Sequence, residues 1–158
     1  MLRRLLKGAL IAAVALVVAI FGSGVMGLLS GNRPDLLGVH EGVLAPVNPD
    51  KQNSVSSFAT TAYHRIDPLA TGDDPPAGFA RLTEIVARER GASIVESGPD
   101  YLYAEFATPM LGFVDDVEFL LDAKARRIDV RSASRLGRKD FGVNRKRIES
   151  IRASFASG

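Results

Sequence analysis

The chain contains no cysteine and no tryptophan. Without cysteine there can be no disulfide, no thiolate nucleophile and no cysteine-ligated metal site. Redox compartment stays open, because a thiol-free chain suits any of them. Histidine is scarce, with only His40 and His64 present, so a metal site would need carboxylates for most of its ligands. No phosphate-binding loop and no dinucleotide fingerprint occurs, and no motif implies a cofactor. The Gly-x-Ser-x-Gly elbow of many serine hydrolases is missing too. Internal repeats and low-complexity segments are also absent.

Charge is missing from residues 8–32. The apolar part of that stretch, Gly8 to Leu29, has 22 residues. At ~1.5 Å per helical residue it reaches roughly 33 Å, enough for a hydrocarbon core of ~30 Å. A cleaved signal peptide has a shorter apolar region followed by a small-x-small site. Gly22-Ser23-Gly24 is a poor version of that site, and the second apolar run, Val25 to Leu29, has no place in a discarded peptide. The stretch therefore reads as an uncleaved anchor that meets the lipid bilayer through residues 8–29. Arg3, Arg4 and Lys7 flank its start, whereas Arg33 and Asp35 balance each other at its end. The positive-inside rule then keeps the N-terminus cytoplasmic and sends residues 33–158 outside, into the periplasm of a bacterium with a single-pass inner-membrane protein.

What remains is ordinary globular material, with 46% hydrophobic and 24% charged residues over the chain. The formal net charge of +2 conceals a division. Residues 33–123 carry 6 basic and 15 acidic side chains, and residues 124–158 carry 11 basic and 3 acidic ones. Such a split suits either an anion-binding face or two surfaces that neutralise each other.

Three regions are expected: a cytoplasmic head and anchor over 1–32, an irregular tether and domain edge over 33–62, and a folded domain over 63–158. Pro34, Pro46, Pro49 and Pro68 punctuate the tether and its continuation. Tyr63 to Leu69 is a candidate short edge strand ended at Pro68. Asp74-Pro75-Pro76 predicts a helix start, with Phe79, Leu82, Ile85 and Val86 on its buried face and Gly91 closing it. Four strands follow, over 93–97, 101–108, 114–122 and 127–134. Val117, Phe119 and Leu121 share one face, and pairing Leu121 with Ile128 sets Phe119 against Val130 and Glu118 against Arg131. A last helix beginning at Asn144 buries Ile148, Ile151 and Phe155. Val143 and Ile148 have hydrophobic-staple spacing around that start. The expected fold class is α+β: a transmembrane helix, then a two-layer sandwich of an antiparallel four-strand meander with two helices on one face and the other face wet.

Several blocks have a familiar form. They are Asn53-Ser54-Val55-Ser56-Ser57, His64-Arg65-Ile66-Asp67-Pro68-Leu69, and Gly112 through Phe119. To these are added Ile128 through Arg135, with Gly137, Asp140, Gly142, Asn144, Arg145 and Arg147. Together, over residues 40–155, they resemble the domain-of-unknown-function family fourteen ninety-nine, found in bacteria and plastids. Serine at position 54 departs from the cysteine often found there in the family. The resemblance implies an envelope location and supplies no mechanism, since the family has no established activity.

The cations of the C-terminal third are the main candidate site. Arg145, Lys146 and Arg147 follow Asn144 at a helix start, where the backbone is already positive and free N–H groups favour an anion. Arg135, Arg138 and Lys139 approach from the preceding loop. An anionic ligand, a lipid headgroup or an acidic partner would fit these seven residues; internal pairing with Asp140 and the acidic strands is the bland alternative. Nucleic acid is not expected, because only Phe141 interleaves the basic run and the domain lies outside the membrane. The functional expectation is a non-catalytic, membrane-anchored periplasmic module, an accessory subunit of a membrane complex or a binder of an anionic group. The alternative is an envelope hydrolase using His64 with a nearby serine.

Overall fold

Alternating side chains and tight turns make residues 92–134 one continuous antiparallel system, and everything else is laid on its two faces. In the computed structural model, which describes residues 1–25 and 27–157, the order is α1 (Leu2–Val25), β1 (Val39–His40), β2 (Val43–Leu44), β3 (Ser54–Ser56), β4 (Leu69–Ala70), α2 (Pro75–Arg88), β5 (Ala92–Ser97), β6 (Tyr101–Ala107), β7 (Val114–Asp122), β8 (Arg127–Ser134) and α3 (Val143–Ala156). Strands β5 to β8 form the expected meander, in the expected register: Leu121 opposes Ile128, Phe119 opposes Val130 and Glu118 opposes Arg131. Asp74 caps α2 by accepting from the Ala77 amide at 3.1 Å. Phe79, Leu82 and Val86 of α2 and Ile148, Ile151 and Phe155 of α3 pack with Leu102, Val117, Phe119 and Val130 in one core.

The sheet, however, has six strands rather than four. Upstream strands β3 and β4 both pair with β8, Val55 opposing Ser132 and Leu69 opposing Ile128. These strands are two or three residues long and show no apolar alternation, so periodicity cannot reveal them. The expected strand over Tyr63–Leu69 is instead a turn through His64 and an isolated bridge from Arg65 to Ser56, and β4 begins only beyond Pro68.

Nor is the second face wet. Residues 33–59 cross it, and Leu37, Leu44 and Phe58 close over Tyr101, Tyr103 and Leu120. The reason lies in the strands themselves. Asp116, Glu118 and Arg131 all point to that side and are buried there, so they require partners rather than water.

The last helix starts one residue early, at Val143, with Gly142 in the left-handed region (φ 80°) as its N-cap. Helix α1 ends at Val25, short of the Leu29 boundary expected, and Gly27–Leu29 form turns. Its Leu2–Gly24 portion is long and apolar enough to cross a membrane. At its end the helix meets the β6–β7 loop. A Cβ on Gly24 would clash with the Met110 carbonyl oxygen, and one on Gly112 would lie 2.7 Å from the Gly24 oxygen. Only glycine permits that approach, so the small residues here serve contact with a loop.

Candidate functional site

The cationic stretch is built around Asp140. Its Oδ1 accepts from the Gly142 amide, and its Oδ2 accepts from the Asn144 amide and side-chain Nδ2, all at 2.9 Å. The negative charge attracted by the start of α3 is thus supplied by the chain itself. Asn144 is fully buried and is no cap. Its Nδ2 also donates to the Asn53 carbonyl and Ser134 Oγ, and its Oδ1 accepts from Ser132 and Arg147. It stitches α3 to β3 and β8.

The seven expected residues separate into two groups. Arg147 pairs with Asp115 at 2.5 Å and lies over the Phe106 ring. Arg145 donates to the carbonyls of Tyr63 and Arg65 at 2.6 and 2.8 Å. Arg135 lies on the opposite face of the sheet, paired with Asp116 at 2.7 Å and Glu105 at 2.6 Å. With Asn144, these four are occupied by internal contacts. Arg138, Lys139 and Lys146 remain exposed at the surface.

The second face holds a continuous polar layer. Glu118 accepts from Arg131 at 2.8 Å, from the Tyr101 hydroxyl at 2.9 Å and from the Gly38 amide at 2.7 Å. The Tyr103 hydroxyl donates to Asp116 at 2.6 Å, and Arg33 reaches in from the end of the anchor to pair with Glu105 at 2.6 Å. Burial, then the neighbouring carboxylates, push the phenols of Tyr101 and Tyr103 above their usual range. Burial pushes Glu105 upward, but hydrogen bonds from Arg135 and Arg33 outweigh it and hold the group below its usual value. The bond to Asp116 keeps Arg135 firmly protonated.

His64 does not form a catalytic pair. Its Nε2 lies 2.7 Å from the Lys51 carbonyl oxygen and must donate to it, which leaves Nδ1 to accept from Thr61 Oγ1 at 2.6 Å. Neither nitrogen is left to take a proton from serine, so the hydrolase reading has no base at this position. Ser54 Oγ is buried and finds no hydrogen-bond partner among the described residues. Among those residues, no group of three or more histidine, aspartate or glutamate side chains is placed to share a metal ion.

An apolar feature beside the cations was not expected from the sequence. Phe113, Leu136, Phe141 and Val143 line a cavity of about 320 Å³ together with Lys139. Phe141 is 87% exposed. The only signal for it in the sequence is an aromatic residue in an otherwise polar loop between Gly137 and Gly142.

A family model described as Protein of unknown function (DUF1499) matches residues 45–155. The chain belongs to that family. Neither the curated proteins nor the solved structures offer a match. The DUF1499 region takes in the six-stranded sheet, both packed helices, the Asp140–Asn144 network and the apolar cavity, whereas α1 and Arg33 precede it.

Proposed function

We propose that this DUF1499 chain is a single-pass protein of the bacterial inner membrane, with its N-terminus cytoplasmic and its domain periplasmic. There it works as a non-catalytic binding module at the membrane surface. One observation carries the reading: among the described residues one helix, α1, is long and apolar enough to span a bilayer, its apolar window is unburied by the domain, and its first two turns carry Arg3, Arg4 and Lys7 with no acid. Of the two forms such a module can take, accessory subunit or binder of an anionic group, the geometry favours the second. Arg138, Lys139 and Lys146 stand exposed, while Asp115 is paired with Arg147 and Asp140 accepts from the Gly142 and Asn144 amides.

The test is topological. A reporter fused after Gly158 should be active only outside the cytoplasm, and the full-length chain should resist alkaline carbonate extraction. Recovery of a shortened, soluble form would overturn the anchor and reinstate a cleaved leader.

A further inference from the structure

Two non-glycine residues with apolar side chains, Met110 (φ 67°) and Phe141 (φ 54°), occupy the left-handed backbone region. That region is costly for side chains of this size. Both residues also hold those side chains in solvent, at 69% and 87% exposure. Strain and exposed hydrophobic surface at the same residues gain nothing within the fold. The loops that carry them flank the cavity formed by Phe113, Leu136 and Val143. Its acids are already engaged, Asp115 by Arg147 and Asp140 by the amides of α3. Lys139 is the cation on its lining, and Arg138 beside it is exposed.

The position of these loops decides what covers them. Gly24, at the end of α1, is in contact with the Met110 and Leu111 carbonyls, and Gly31 abuts Arg135 and Leu136. Both loops thus adjoin the point where the anchor leaves the bilayer. An aromatic tip with basic neighbours, held at that level, has the chemistry of an interfacial anchor. We propose that this end of the domain docks on the membrane, with Phe141 inserted among anionic phospholipids and Arg138, Lys139 and Lys146 against their phosphates. The inference rests on the anchored reading above and adds to it the surface that the domain presents to lipid.

The absence of tryptophan makes the test direct. Phe141→Trp, Phe113→Trp and Lys124→Trp each give a full-length chain with one indole, the last at the far end of the β7–β8 hairpin. Each is reconstituted in phosphatidylcholine vesicles with and without phosphatidylglycerol, using acyl-brominated lipid as quencher. Blue-shifted emission and several-fold stronger bromine quenching are expected at positions 141 and 113 than at 124, stronger still with phosphatidylglycerol. Arg138→Gln, Lys139→Gln and Lys146→Gln together should remove that last increment. Equal access of acrylamide to positions 141 and 124, without bromine quenching, overturns the proposal. A shift that follows protein-to-lipid ratio without bromine quenching means a second copy covers the face and also overturns it. Equal quenching in neutral and anionic vesicles overturns the choice of anionic lipid. Carbonate flotation of the same vesicles separates the two levels: a chain that floats with its indole in water keeps the anchor and loses the docking, and a chain that does not float loses the anchor.

Discussion

Arg147, in the first turn of α3, reaches Asp115 at the head of β7 and closes a 2.5 Å ion pair between helix and sheet. Both side chains are about nine-tenths buried. At an exposed helix start such a cation would oppose the helix dipole, and its removal would help. Here its removal leaves Asp115 charged, buried and unpaired. Arg147→Gln should therefore destabilise the protein by about 3 kcal/mol, the low end for breaking a buried pair. Chemical unfolding of the detergent-solubilised chain at low and moderate salt checks the sign, and an unchanged or raised midpoint would return Arg147 to the list of free cations.

The contrast between Glu118–Arg131 and Arg147–Asp115 shows what was legible in the sequence. The first pair follows from a hairpin register: once Leu121 opposes Ile128, the pleat sets Glu118 against Arg131, and the structure has them at 2.8 Å. The second joins a strand to a helix 32 positions later, and no local period relates them. The same distinction separates β5–β8, visible through alternation and tight turns, from β3 and β4, which are held by β8 from more than fifty residues away. It also explains why the second face was expected to be wet. Its strands carry charges, and charges signal solvent unless the partners laid over them are known. The candidate site was half legible: the cations were visible, but the carboxylates and carbonyls that occupy four of the seven residues came from other elements.

Ser54 offers a test of local fit. Its hydroxyl is buried in β3 with no hydrogen-bond partner among the described residues. A lone buried hydroxyl costs ~1–3 kcal/mol relative to one that is bonded. A thiol, a much weaker donor, would lose little in the same slot. Ser54→Cys and Ser54→Ala should therefore leave the unfolding midpoint unchanged or raise it, with a gain of up to ~1 kcal/mol. A loss above that for both variants would mean that the hydroxyl is bonded after all.

The polar layer under residues 33–59 predicts how stability depends on pH at both ends of the range. Glu105 titrates below its usual value of 4.5, because the bonds from Arg135 and Arg33 outweigh its burial. Its contribution is complete above that usual value and is lost as pH falls through the lowered folded-state value. Asp129, raised by burial, acts oppositely: its contribution is present below its usual value of 3.8 and lost as pH rises through the raised one. Glu105→Gln should therefore weaken the acid-side loss of stability, and Asp129→Asn should leave that acid-side loss in place. At the other end, burial first and nearby carboxylates second raise Tyr101 and Tyr103 above 10.0. Their contribution is complete below 10.0 and is lost as pH rises through the raised values, so alkali should unfold the domain. Because the chain has three tyrosines and no tryptophan, phenolate absorbance reports this cleanly. Two of the three phenols should ionise only together with the loss of near-ultraviolet circular dichroism. If all three ionise near pH 10 while the dichroism persists, residues 33–59 do not seal that face of the sheet.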